Sequence, residues 1–155
     1  MSKYIYNNSL QGKHKVFDQC LFNKYDVPAR TKVKNILKEF VIDNPDQYKQ
    51  DLIINDIECK YKYIELQVCA SWIGDTYPFE KVFIYERKSV YGEDTLFLTL
   101  NHDLSRGYVF SAKSFKDTKP RRIKKYAREY VYDIPWNKIM PVLIEELTPD
   151  IIKMY

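Results

Sequence analysis

The strongest constraint on the fold is a series of short segments, rich in β-branched and aromatic residues, in the middle of the chain. Three of them, Lys81 to Arg87, Thr95 to Asn101 and Gly107 to Ala112, are separated only by short polar connections. Segments of this composition and spacing are typical of strands. The chain also has 14 Tyr against only 4 Gly, and Tyr favours strands. The middle of the chain therefore predicts a largely antiparallel sheet.

The preceding segment, Asp51 to Cys69, also alternates like a strand, but the phase of its alternation changes at Tyr63. The apolar side chains before that residue are Ile57, Cys59 and Tyr61, and those after it are Ile64, Leu66 and Val68. A slip of one residue moves side chains to the opposite face of a sheet. Either a bulge or a turn lies near Tyr63, or the second half is buried on both faces. In both cases the polar residues Glu65 and Gln67 interleave with core residues.

Apolar residues with helical spacing occur on both sides of this region. The first set is Val33, Ile36, Leu37, Phe40 and Val41, with Asp26 as the predicted N-cap, Pro28 in the first turn and a stop at Asp43-Asn44-Pro45. The second set follows Pro120 and comprises Ile123, Tyr126, Ala127, Tyr130 and Val131. A third set runs from Trp136 to Leu147, where Pro141 must kink the helix or restart it.

The whole chain is thus predicted to be one α+β domain spanning residues 1–155. It contains an N-terminal helix, a central mostly antiparallel or mixed sheet of about five strands, a C-terminal basic helix and a further kinked helix. Residues 1–25 show no clean periodicity and predict an arm or an edge strand. With 45% hydrophobic and 30% charged residues, the composition is that of a globular protein and excludes general disorder.

Several classes of location and partner are disfavoured by composition. No apolar run approaches the roughly 20 residues that span a bilayer, and the first residues carry no signal-peptide segment, so we expect an intracellular, cytoplasmic protein without a membrane partner. The three cysteines are odd in number and lack zinc-site spacing, which favours buried reduced thiols. The abundance of Lys, Ile, Asn and Tyr is typical of proteins encoded by AT-rich genomes, for example that of a large DNA virus or phage. For a viral protein, the expected location is the host cytoplasm or the virion.

Positive charge is concentrated in one part of the chain. Residues 101–130 contain nine Lys or Arg against three Asp or Glu, a net charge of +6, whereas the remaining 16 basic and 18 acidic residues give −2. On the predicted helix after Pro120 the basic side chains lie on the polar face, where they can contact phosphates. The residues predicted to bind DNA or RNA are Lys119, Arg121, Arg122, Lys124, Lys125 and Arg128. The alternatives are a solvated helix, an acidic protein partner or a membrane surface.

Two sets of acidic residues match the requirements of phosphodiester cleavage, in which carboxylates hold a divalent metal beside a polar group that positions water. The first set is Pro45-Asp46 followed by Glu58-Cys59-Lys60, and the second is Asp51 followed by Glu65-Leu66-Gln67. The second is favoured because Glu65 and Gln67 lie among apolar residues, where a polar pair needs a reason. Glu58, in contrast, alternates with lysines on a face that is most simply solvated.

At these residues, over roughly Pro28 to Cys69, the chain resembles the PD-(D/E)xK (restriction-endonuclease-like) nuclease superfamily. In that family a helix precedes a sheet with Asp on one strand and Glu-x-Lys on the next. The resemblance implies that Asp51 and Glu65 are catalytic and bind magnesium, and that Gln67 orients the attacking water. Glu39 looks like an additional acid that some members carry on the helix. Two departures are Gln67 in place of Lys, and a Gly/Pro-interrupted segment where the family has a helix after the Glu-x-Lys strand.

The sequence leaves two functions open. The first is a nucleic-acid-binding domain that acts as a magnesium-dependent endonuclease. The second is a non-catalytic nucleic-acid-binding or assembly module, for example of a large DNA virus or phage, in which the carboxylates form a cross-strand polar ladder or a salt bridge to Arg87 or Lys88. Neither function fixes the oligomeric state, and a homo-oligomer is compatible with both.

Overall fold

The fold is α+β, as the sequence predicts, in a computed structural model that describes residues 19–46, 48–123 and 130–155. Six strands form a mixed sheet in the order β1-β2-β3-β5-β6-β9, and three form a second sheet in the order β4-β8-β7. The helices are α1 (Gln19–Leu21), α2 (Val27–Leu37) and α3 (Pro149–Met154). The strands are β1 (Val41–Asp43), β2 (Leu52–Ile54), β3 (Tyr63–Val68), β4 (Val82–Tyr85), β5 (Thr95–Leu100), β6 (Arg106–Ser111), β7 (Arg121–Arg122), β8 (Tyr130–Ile134) and β9 (Met140–Leu143).

The N-terminal helical region starts earlier and ends earlier than predicted. A π-helical turn, Phe22–Asp26, connects α1 to α2, so the prediction of an arm or edge strand is wrong for residues 19–25, and residues 1–18 lie outside the described ranges. Asp26 has helical backbone angles and continues the helix instead of capping it. The helix ends at Lys38, whose backbone has left the helical region (φ 50°, ψ −128°). Val41 therefore begins β1.

The larger sheet is mixed because β4, which lies between β3 and β5 in the chain, belongs to the second sheet. Strands β1 and β2, β2 and β3, β5 and β6, and β6 and β9 pair antiparallel, whereas β3 and β5 are parallel. A parallel pair needs a crossover, and the chain makes this one through β4, which pairs with β8 in the second sheet. The expectation of a largely antiparallel meander is wrong at this point, and the expectation of a mixed sheet is confirmed.

Two cores occupy the two faces of the larger sheet. On one face, buried side chains of α2 such as Ala29 and Val33 belong to a cluster with Ile64 and Leu66 of β3. On the other face, Phe97 and Phe110 belong to a cluster with apolar residues of the second sheet. Because side chains alternate along a strand, Glu65 and Gln67 point to the second face, between the two sheets.

The phase change at Tyr63 marks the end of a turn. Strand β3 starts at that residue, and the prediction of a strand over residues 57–62 is wrong, because none of them is in a strand. Cys59 and Tyr61 are buried there, whereas Ile57 is 94% exposed. The alternation in this segment therefore arises from a loop with two inward-pointing side chains. The described cysteines are all free thiols, with Cys59 buried and Cys20 exposed.

Both predictions of a C-terminal helix are wrong for the residues that the structure describes. Arg121–Arg122 is strand β7, which pairs antiparallel with β8, and residues 124–129 lie outside the described ranges. The segment Trp136 to Leu147 contains a 3-10 turn, then β9, then a second 3-10 turn. Pro141 is tolerated in β9 because that strand is at the edge of the sheet, where a missing N–H leaves no partner unpaired. Within the described ranges, no helix combines the length and apolarity needed to cross a bilayer.

Candidate active site

The antiparallel register of β2 and β3 brings Asp51 and Glu65 together. Leu52 is the partner of Ile64, so continuing the register by one residue places Asp51 opposite Glu65. The two carboxyl groups are close enough that the charge of Asp51 raises the pKa of Glu65. The two acids that the sequence singles out are thus neighbours in the structure, and Gln67 follows two residues later on the same face of β3.

Asp51 occupies the position where the ladder between β2 and β3 ends. One of its oxygens, Oδ2, accepts a hydrogen bond from the Leu66 backbone N–H at 2.8 Å. The other, Oδ1, accepts one from the Arg30 guanidinium at 2.9 Å. The Asp51 carboxylate therefore accepts a backbone hydrogen bond from β3 at the point where β2 no longer provides an acceptor. Through Arg30 it also connects the sheet to α2.

Glu65 is buried and forms an ion pair with Lys88. Its side chain is 9% exposed, and Lys88 Nζ lies 2.8 Å from Glu65 Oε2. Burial and, to a smaller extent, the negative charge of Asp51 raise the pKa of Glu65, and with the opposing positive charge of Lys88 included the pKa is about 7. Burial is the largest single effect on Lys88 and lowers its pKa, but the charge of Glu65, the hydrogen bond to Glu65 and the charge of Asp51 together raise the pKa overall. Lys88 is therefore cationic at neutral pH.

Two buried oxygens at this site accept no hydrogen bond from the part of the chain that the structure describes. Gln67 Nε2 donates to the backbone oxygen of Phe83 at 3.1 Å, which ties β3 to β4. Neither Gln67 Oε1 nor Glu65 Oε1 accepts a hydrogen bond from any described residue. An unsatisfied buried acceptor is costly, and such groups need an explanation such as a bound water or ion. The site therefore has capacity for a group that interacts with oxygen.

The donor set fits a hard cation only in part. Two carboxylates and an amide oxygen are ligands of the type that Mg²⁺ takes, and Mg²⁺ usually keeps several waters and only one or two protein carboxylates. In the part of the chain that the structure describes, however, no three or more His, Cys, Asp or Glu side chains form a group that could hold a metal ion. Arg30 and Lys88 also neutralise the two acids already. Any metal at this site would depend on Asp51, Glu65, Gln67 and water.

The other acidic match, Asp46 with Glu58 and Lys60, does not form a site. All three side chains are exposed. Asp46 accepts a hydrogen bond from the Tyr48 backbone N–H, and the Glu58 backbone N–H donates to Asp56, so these residues make local turns. Glu39 is exposed in the 3-10 turn after α2, and the charges that shift the pKa of Glu65 come from Asp51 and Lys88.

The predicted nucleic-acid-binding residues are only partly described. Lys119, Arg121 and Arg122 are exposed, whereas Lys124, Lys125 and Arg128 lie outside the described ranges. Since Arg121 and Arg122 are consecutive in β7, their side chains point to opposite faces of the small sheet and not to one helical face. Arg121 Nε also lies 2.6 Å from Asp133 Oδ2, which neutralises part of its charge.

Comparisons with known proteins add no constraint. No family model, curated protein or solved structure matches the chain. The site must therefore be interpreted from its own geometry.

Two members of the site were not identified from the sequence. Arg30 is on α2, 21 residues before the aspartate that it contacts, and nothing in local spacing distinguishes it from the other basic residues of that helix. Tyr91 is half-buried beside the site, where burial, followed by the charge of Glu65, raises its pKa to about 12. The sequence signal that could have indicated Tyr91 is its position three residues after Lys88.

Proposed function

We propose that this domain binds nucleic acid and hydrolyses phosphodiester bonds in a magnesium-dependent reaction at Asp51 and Glu65. The observation that carries the proposal is the convergence of two carboxylates, one of them buried, with acceptor oxygens of Glu65 and Gln67 left unsatisfied. A bound magnesium would supply Lewis-acid polarisation of a phosphoryl oxygen and a more acidic water. The chain's own residues hold the ion, orient water and bind the phosphates.

The order of elements supports the proposal. A helix, α2, precedes the sheet, Asp51 lies at the start of β2, and Glu65 and Gln67 lie on β3, the next strand. This is the order that the PD-(D/E)xK resemblance implies. Gln67 lacks the charge of the family's Lys, but Lys88 places an ammonium group 2.8 Å from Glu65. The cation therefore reaches the site from another part of the chain.

After β3, the chain departs from the family pattern in having strand β4 and a 3-10 helix. The chain continues from β3 to β4 and then to a 3-10 helix, Glu86–Val90, which carries Lys88. The lysine thus comes from a short 3-10 helix that lies beyond both β4 and the segment that lacks the family's usual helix. Asp51 and Lys88 have side chains that are 20% and 21% exposed, so solvent, and with it a phosphate, can reach these two side chains.

The exposed basic residues support binding of a polyanion. Lys119 and Arg122 are exposed, in a segment where the sequence concentrates a net charge of +6. Each phosphate that such a side chain neutralises releases counterions, so affinity should fall steeply as salt is added. Binding that does not change with salt would contradict this part of the proposal.

A cleavage assay tests the catalytic part. Purified protein is incubated with plasmid and with single-stranded DNA in Mg²⁺ or Mn²⁺, beside Asp51→Asn and Glu65→Gln. The matched controls are Asp46→Asn and Glu58→Gln, which remove equally acidic but exposed residues. We expect cleavage by the wild type and both controls and none by the two site variants. Absence of cleavage by the wild type, or equal cleavage by all five proteins, would refute a nuclease site at this pair.

The alternative is a non-catalytic nucleic-acid-binding or assembly module. The observation that favours it is the charge balance, because Arg30 and Lys88 already neutralise Asp51 and Glu65. In that case the four side chains connect α2, β2, β3 and the 3-10 helix and have no chemical role. Salt-sensitive binding without cleavage in the assay above would support this function.

A further inference from the structure

We propose that Lys88 is a displaceable counter-cation, so that its ammonium group and a divalent cation compete for Glu65. The inference rests on the proposed function, because it concerns the same carboxylates. Its starting point is that the site is electrically balanced without a metal. Two carboxylates, Asp51 and Glu65, each pair with one cation, Arg30 or Lys88, at 2.9 and 2.8 Å.

Adding a divalent cation to this arrangement would leave an excess of positive charge. The Glu65 side chain is only 9% exposed, so water screens charges there poorly. An ammonium group that stayed at 2.8 Å from Glu65 would repel a cation bound to the same carboxylate. A divalent ion can therefore bind well only if one of the two resident cations leaves.

Lys88 is the cation that can leave. The only ion pair that its ammonium makes with a described residue is the one to Glu65. Arg30, in contrast, contacts Asp51 and also lies over the ring of Phe22, 5.8 Å from its centroid. A long unbranched lysine side chain can swing toward solvent with little rearrangement of its 3-10 helix.

The unsatisfied oxygens belong to Glu65, the residue that Lys88 pairs with, and to Gln67 on the same face of β3. Glu65 Oε1 and Gln67 Oε1 accept no hydrogen bond from a described residue, whereas both oxygens of Asp51 do. A divalent ion would thus bind chiefly through Glu65 and Gln67, with Asp51 as the second carboxylate. The released ammonium would remain within one side-chain length of the site, where the phosphate of a substrate would attract it.

The competition predicts a gain of metal affinity when Lys88 loses its charge. Binding of Mn²⁺ alone is measured by the loss of the free-ion electron paramagnetic resonance signal, at neutral pH and without nucleic acid. We expect Lys88→Met to bind Mn²⁺ at least tenfold more tightly than the wild type. Lys88→Arg, which keeps the cation, should bind no more tightly than the wild type. Lys153→Met removes an exposed lysine paired with Asp56 and should leave the affinity unchanged.

The controls separate this inference from the proposed function. Circular dichroism establishes whether each variant is folded. If Lys88→Met does not fold, Lys88→Arg still tests the inference. Tighter Mn²⁺ binding by Lys88→Arg than by the wild type would overturn it. Equal or weaker binding by a folded Lys88→Met would also overturn it while leaving the metal site intact. Mn²⁺ binding that persists in Asp51→Asn and Glu65→Gln, or that is absent from every variant, would instead refute the metal site itself.

Discussion

Replacing Asp51 by Ala and by Asn should separate its structural contribution from its chemical one. The carboxylate has two bonding partners, the Leu66 backbone N–H through Oδ2 and the Arg30 guanidinium through Oδ1. Asn keeps one side-chain oxygen, which can still accept the Leu66 N–H, but it loses the charge that pairs with Arg30. Ala loses both interactions. The difference between the two variants therefore isolates the hydrogen bond to β3.

The magnitudes follow from the exposure of the groups. The Arg30 and Asp51 side chains are 28% and 20% exposed, so solvent screens their ion pair and its loss should cost about 1 kcal/mol. An unpaired N–H in a partly buried position adds about 1–3 kcal/mol. We therefore expect Asp51→Asn to lower the free energy of unfolding by about 1 kcal/mol and Asp51→Ala to lower it by about 2–4 kcal/mol. Relief of the repulsion with Glu65 offsets part of both losses.

Urea unfolding followed by circular dichroism, in buffer with a chelator, measures these differences. The two variants should share the wild-type slope and differ in their midpoints. If Asp51→Ala and Asp51→Asn are equally stable, the hydrogen bond to Leu66 contributes nothing and the explanation of how Asp51 completes the ladder is wrong. Because Asp51→Asn should remain folded, its loss of DNA cleavage would report on chemistry and not on stability.

Three further predictions concern parts of the fold around the site. Phe110→Ala should lower the free energy of unfolding by about 3–5 kcal/mol in the same urea assay. The reason is that Phe110 is fully buried and stacks on Phe97, with 5.4 Å between the ring centroids. A smaller loss would indicate that the second core is loosely packed. Lys153→Met should unfold at the wild-type urea midpoint, since its ion pair is exposed to solvent. Arg122→Gln should weaken DNA binding and reduce the slope of log affinity against log salt by about 1. Arg121→Gln should change that slope less, because Asp133 already neutralises Arg121. Equal effects of the two substitutions would contradict this distinction.

The acids of the site could be predicted because their sequence context is unusual. Glu65 and Gln67 interrupt an apolar segment, and a buried polar pair requires partners whichever fold surrounds it. Asp51 could be paired with them because two consecutive antiparallel strands bring residues near their shared end together. Both inferences depend on short-range geometry, which the sequence encodes directly.

The C-terminal helices could not be excluded in the same way. Tyr130, Val131 and Ile134 fit a 3.6-residue period, but the same residues are β-branched or aromatic and suit a strand equally well. Pairing with β4 decides the outcome, because it buries Val131 and Ile134 completely. Spacing over a few residues cannot report such a contact, since β4 lies about 50 residues earlier in the chain. The prediction that Arg121 and Arg122 share one face failed for the same reason.

Of the two cations of the site, the sequence indicates Lys88, as one of two candidate salt-bridge partners of the carboxylates, but it does not indicate Arg30. Arg30 and Lys88 are 21 residues before Asp51 and 23 residues after Glu65, and only the packing of α2 and of the 3-10 helix places them there. Two carboxylates side by side, one of them buried, would repel each other, so a fold that brings them together must also bring positive charge. Lysine and arginine provide that charge during folding without a metal. Neither acid thus needs a metal to be neutralised, and under the proposed competition the ion pair between Glu65 and Lys88 would set how tightly a divalent ion binds.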